Sequence, residues 1–99
     1  MLLRELAHSR TGDKGDISNI SVIVYDPGDY ERVASALTAE RVKVHFQGMV
    51  SGAVVRYELP ALGALNFVMH GALGGGVTRS LALDAHGKCL GSLLLEIEI

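Results

Sequence analysis

Tryptophan is absent from the chain, and only three Tyr and two Phe supply aromatic rings among its 99 residues. Single-stranded nucleic acid is bound on stacked aromatic faces set among cations, and little here serves that purpose. A basic excess is missing too. Nine Lys and Arg stand against eleven Asp and Glu, for a formal net charge of −2, whereas a nucleic-acid binder carries a basic face. The single cysteine, Cys89, cannot close an intrachain disulfide, and no Cys/His cluster has zinc-ligand spacing. No metal or other cofactor is expected, and a reducing cytoplasm is the expected compartment. No apolar run approaches the about 20 residues of a membrane span, and MLLRELAHSR lacks the apolar core of a signal peptide.

What is present in quantity is apolar side chain, 48% of the residues. A domain of this size buries about 60–65% of its unfolded surface. The surplus predicts a partner, and a homo-oligomer is the simplest one. Repeats, linkers and low-complexity segments are lacking, which predicts one domain over residues 1–99.

Along the chain, Leu2–His8 predicts a first strand. Ser18–Tyr25 predicts a second, with Ile20, Val22 and Val24 on one face and Asn19, Ser21 and Ile23 on the other. Asp26-Pro27 has the form of an N-cap followed by proline in the first turn. Tyr30, Val33 and Leu37 follow at helical spacing. Thr38 predicts a second cap, with Glu40, Val42 and Phe46 beyond it. From Ala53 the chain alternates again as a strand that Pro60 ends, and Leu65–His70 alternates as another. Asp84-Ala85-His86-Gly87-Lys88 has hairpin chemistry. Leu93, Leu95, Ile97 and Ile99, alternating with Glu96 and Glu98, predict a final strand whose edge is open to pairing. These elements predict an α+β domain: a mostly antiparallel sheet with two short helices on one face.

Two segments concentrate the unusual polar residues. The first, predicted as a loop, is Ser9-Arg10-Thr11-Gly12-Asp13-Lys14-Gly15-Asp16, with Asn19 beyond it. Positive φ at Gly12 and Gly15 would turn amide N–H groups toward a common point, and Arg10 and Lys14 would add charge for a carboxylate or phosphate. The glycine-to-lysine spacing is wrong for a Walker A loop and the acids do not fit a calcium loop. Gly and Asp are also ordinary turn formers, which serve simply to connect two strands.

The second segment runs from Asn66 to Ser80 and includes His70, Gly74, Gly75, Gly76 and Arg79. In an extended Leu65–His70, Asn66 and His70 face away from Leu65, Phe67 and Met69. A histidine that titrates near neutrality is equipped for acid–base work, although a strand-end histidine also serves as a plain hydrogen-bonding residue. No G-x-S-x-G elbow accompanies HGALGGG, which argues against a serine hydrolase. Arg10, Lys14 and Arg79 are expected to share one electropositive pocket with the two glycine runs. Cys89, among leucines, is expected to be a buried small hydrophobe.

The combination of HSRTGDKGDISNI, TAERVKVHF and RYELPALGALNFVMHGALGGGVTRSLALDAHGKCLG resembles the AtuA-like ferredoxin-fold domain of proteins related to the acyclic terpene utilisation protein AtuA. The resemblance runs from Leu6 to about Leu95. It implies a ferredoxin-like fold and a link to bacterial catabolism of branched or terpenoid acids through acyl-CoA intermediates. That domain usually forms the C-terminal part of a longer protein, so the resemblance implies a stand-alone version with a separately encoded large subunit as partner.

Three functions compete. The first is a non-catalytic subunit or binding module for an anionic small molecule, working with the large subunit. The second is an autonomous lyase, hydratase or hydrolase, with His70 as acid–base and Arg10, Lys14 or Arg79 holding a carboxylate or phosphate. The third is a purely structural oligomerisation domain. The missing large domain and the lack of an evident nucleophile favour the first.

Overall fold

The computed structural model describes residues 1–14, 17–47, 49–71 and 88–99, with the side chains of 13, 14, 88 and 89 left aside. Four strands, β1 (Ala7–Lys14), β2 (Ile17–Val24), β3 (Val54–Leu59) and β4 (Ala64–His70), form one sheet in the order β1-β2-β4-β3. Every neighbouring pair is antiparallel. Among the described residues three helices, α1 (Tyr30–Ala36), α2 (Ala39–His45) and α3 (Lys88–Leu94), pack on one face. Short 3-10 turns occupy Leu3–Glu5, Pro27–Asp29 and Pro60–Leu62. The domain is α+β.

The core lies between that face and the helices. Ile20 and Val22 of β2 meet Leu65, Phe67 and Met69 of β4, and above them sit Val33, Leu37, Val42, Phe46, Leu90 and Leu94. Strict alternation along β2 puts every second residue into this layer, Ser18 included. The caps form as the sequence predicts. The Asp26 carboxylate accepts from the Gly28 N–H at 2.9 Å, and Thr38 Oγ1 accepts from the Arg41 N–H at 3.1 Å. Thr38 is what divides the helical segment in two.

Three expectations need correction. The segment Ser9–Lys14 is not a loop. It is most of β1, paired residue for residue with β2: Arg10 with Ser21, Thr11 with Ile20, Gly12 with Asn19. Turn-forming residues lose here because leaving the β2 edge unpaired would orphan a row of backbone donors and acceptors. Among the described glycines positive φ is found at Gly63 and Gly71 and not at Gly12, while Gly15 lies outside the described residues. Second, the predicted Leu2–His8 strand begins only at Ala7. Leu3 and Leu6 are both buried, an i, i+3 spacing that a helical turn satisfies and a strand does not. Third, the predicted C-terminal strand is a helix through Leu94. Leu90, Leu94 and Ile97 are the buried residues, at spacings of four and three. Only Glu98 keeps a strand-like bridge, to Leu2, so the open edge expected for self-association is not there. Of the predicted hairpin, residues 84–87 lie outside the described residues and Lys88 opens α3.

The described order of elements is that of a β-α-β-β-α-β ferredoxin-like chain read from its second strand, with α1 and α2 sharing the first helical position. Such a cyclic shift needs chain ends that lie side by side. Here Ile99 N–H donates to Met1 O at 2.8 Å, and Leu3 N–H to Ile97 O at 2.8 Å.

Candidate functional site

Because side chains alternate along a strand, the face opposite the helices is fixed by register. One row across it runs Arg10, Ser21, Asn66, Tyr57. The next holds Gly12, Asn19, Val68 and Val55, and the row on the other side holds His8, Ile23, Ala64 and Leu59. No described helix crosses this surface. Tyr57 is 54% exposed and Tyr25, just past β2, is 65% exposed. The His8 ring stacks on Tyr25 with centroids 5.3 Å apart.

The centre of the face is polar and organised. Asn66 Nδ2 donates to Ser21 Oγ at 2.9 Å, tying β4 to β2. Gly12 makes room for Asn19: a Cβ at position 12 would stand 3.1 Å from Asn19 Nδ2. From the other side of β2, the Ser18 hydroxyl donates to the Gly12 carbonyl at 3.3 Å. Arg10 and Asn66 flank Ser21 from the two neighbouring strands, about 10 Å apart at two strand spacings. The arrangement presents a cation, two amides and a hydroxyl along one surface, with apolar and aromatic side chains around them.

Strand β2 thus brings the two polar segments together. Arg10, Gly12, Asn19, Asn66 and His70 share the open face. His70 is exposed at its far end, opposite Ile17. It lies four positions along β4 from Asn66, about 13 Å of strand, and the Asn66 amide is turned to Ser21 instead. Ser9 stands on the helix side, where a Cβ at Gly91 would come within 2.9 Å of its Oγ. Asp13 and Lys14 pair with Ser18 and Ile17 of β2, and their side chains lie outside what the structure describes. Gly15, Asp16, Gly74, Gly75, Gly76 and Arg79 lie outside the described residues, and with them most of the expected three-cation pocket. Sequence reasoning missed Ser21 and Tyr57. Alternation alone gives their parity, but their place beside Arg10 and Asn66 depends on the strand order.

Elsewhere, Arg41, Val44, His45, Glu96, Ile97 and Glu98 line a cleft between α2 and the C-terminal segment. Its polar groups tie the fold together: Arg41 donates to the Glu98 carbonyl, and His45 Nε2 lies 2.7 Å from the Leu93 carbonyl. Among the described residues no group of three or more His, Cys, Asp or Glu gathers as a metal site, and no helix is long and apolar enough to cross a membrane.

The comparisons with known proteins agree with this architecture. No curated protein and no solved structure gives a significant match. A family model, the AtuA ferredoxin-like domain, matches residues 1–99. The chain belongs to the AtuA ferredoxin-like domain family.

Proposed function

We propose that the domain is a non-catalytic binding module of an AtuA-related system, working with a separately encoded large subunit in acyl-CoA-linked catabolism of branched or terpenoid acids. One observation carries the reading. The two segments richest in chemistry, far apart in sequence, contribute Arg10, Asn19 and Asn66 to one sheet face that no described helix crosses. The family membership supports the AtuA link. The distance between His70 and the Arg10–Ser21–Asn66 row favours a binding surface over an acid–base centre. Catalysis needs its groups within hydrogen-bond reach of one reacting atom.

The test is to mix the purified domain with an AtuA-type large chain from the same genome and to assay each alone and together. Co-elution on gel filtration, with no turnover by the domain alone, is the expected result. Turnover by the isolated domain, lost in His70→Ala, would replace this reading with the enzyme.

A further inference from the structure

We infer that the open sheet face docks a protein surface that presents carboxylates among apolar side chains, and that it does not pair with a second copy of itself. The inference rests on the binding-module reading and adds the chemistry of the partner.

Charge is the first argument. The strands put Arg10 on this face, the one formally charged side chain among its described residues. Among the described residues, no Asp or Glu of the strands stands with it. Glu58 is on the helix side, paired with Arg56 at 3.0 Å. Yet the whole chain has a formal net charge of −2. The face therefore carries the sign opposite to that of the molecule, and its complement is acidic.

The second argument is composition. Tyr57, Tyr25, Val55 and Leu59 are exposed on or beside the face. Tyrosine and arginine are the residue types that dominate binding energy at protein interfaces. Four strands about 4.8 Å apart and some seven residues long give a footprint on the order of 400 Å².

Shape is the third. Small-molecule sites are concave. Among the described residues two clefts lie beside α2, at Arg41–Glu98 and at Lys43–Val50, and neither is lined by residues of this face. The face itself is a sheet surface, suited to another surface. A second copy fits poorly, because two-fold pairing would bring the Arg10 of each copy to one interface with no carboxylate among the face's described residues to pair it, and like charges juxtaposed at an interface are penalised.

The test measures binding of the full chain to an AtuA-type large chain immobilised on a sensor. Wild type is compared with Arg10→Glu and Tyr57→Ala, and with Arg32→Glu, which makes the same charge change on exposed α1. Unchanged circular dichroism confirms that each variant folds. The expected result is at least tenfold weaker binding for Arg10→Glu and Tyr57→Ala, within twofold of wild type for Arg32→Glu, and affinity that falls as salt rises. Equal losses for Arg10→Glu and Arg32→Glu, or none for either, overturn the inference while leaving the binding-module reading intact. A wild-type dimer that Arg10→Glu converts to monomer, or Arg10-dependent binding to anionic lipid vesicles in place of the large chain, also overturns it. A wild-type domain that does not bind the large chain at all overturns the reading and the inference together.

Discussion

Replacing Gly91 by alanine tests how α3 is seated on the sheet, because two effects of known sign oppose each other there. In an exposed helix interior the change stabilises by about 1 kcal/mol, since glycine loses more backbone entropy on folding. Gly91 is buried against β1 instead. An added Cβ would stand 2.7 Å from Thr11 Cγ2 and 2.9 Å from Ser9 Oγ, where carbon contacts settle near 3.5–4.0 Å. Thr11 is β-branched and cannot swing aside freely. The helix must lift, which loosens Leu90 and Leu94 from the core, where they are 4% and 0% exposed. Overpacking of this kind costs about 1–3 kcal/mol. The clash wins, and Gly91→Ala should destabilise by about 0.5–2 kcal/mol net. Urea unfolding with an unchanged slope is the assay. Adding Thr11→Ala should recover part of the loss, so the double variant is more stable than the sum of the singles predicts. A higher midpoint for Gly91→Ala alone would refute the close helix–strand contact.

Three further outcomes follow from the same packing. Phe67→Ala, at a fully buried site, should cost about 3–5 kcal/mol, while exposed His70→Ala should cost under about 0.5 kcal/mol; equal urea midpoints would make His70 a core residue. Arg56 donates from Nη1 to the Ala34 carbonyl at 2.6 Å and the Leu37 carbonyl at 3.1 Å at the end of α1, and from Nη2 to Glu58. Arg56→Ala should cost about 1.5–3 kcal/mol, and Arg56→Lys an intermediate amount because an ammonium cannot reproduce the fork. The Tyr30 hydroxyl is buried with no hydrogen-bond partner among the described residues, and burial, reinforced by Glu58 and Glu31 against the opposing Arg56, raises its pKa. Tyr30→Phe should therefore raise stability by about 1 kcal/mol at neutral pH. The unfolded phenol ionises first, near pH 10, so the Tyr30 contribution to wild-type stability is present below that pH and lost as pH climbs through the folded pKa. A Phe variant with the same alkaline loss as wild type would contradict the assignment.

Local signals were the legible part of this fold. Asp26 and Thr38 cap helices because each needs only its own side chain and an N–H two or three residues on. Strands β2 and β4 follow from alternation that no helix reproduces. The C-terminal leucine run was ambiguous, since a short Leu-rich stretch fits both periods. Its structure is decided by where Leu90, Leu94 and Ile97 find the core. SRTGDK misled for the converse reason: its residues favour turns locally, and only pairing with β2 makes them a strand. At the candidate site, residue type alone picked out Arg10, Asn19, Asn66 and His70. Their common face needed β1 to run through Lys14 and β2 to lie between β1 and β4, and that order is a non-local fact.

The central claim is that the sheet face opposite the helices is the working surface. Titrating isotope-labelled domain with an AtuA-type large chain, and following amide resonances by NMR, tests it most directly. The account predicts that the side-chain amides of Asn19 and Asn66 and the backbone amides of Arg10, Ser21 and Tyr57 shift or broaden first, while α1 and α2 stay unperturbed. Perturbation confined to the helices, or to the cleft between α2 and Glu96–Glu98, would contradict it.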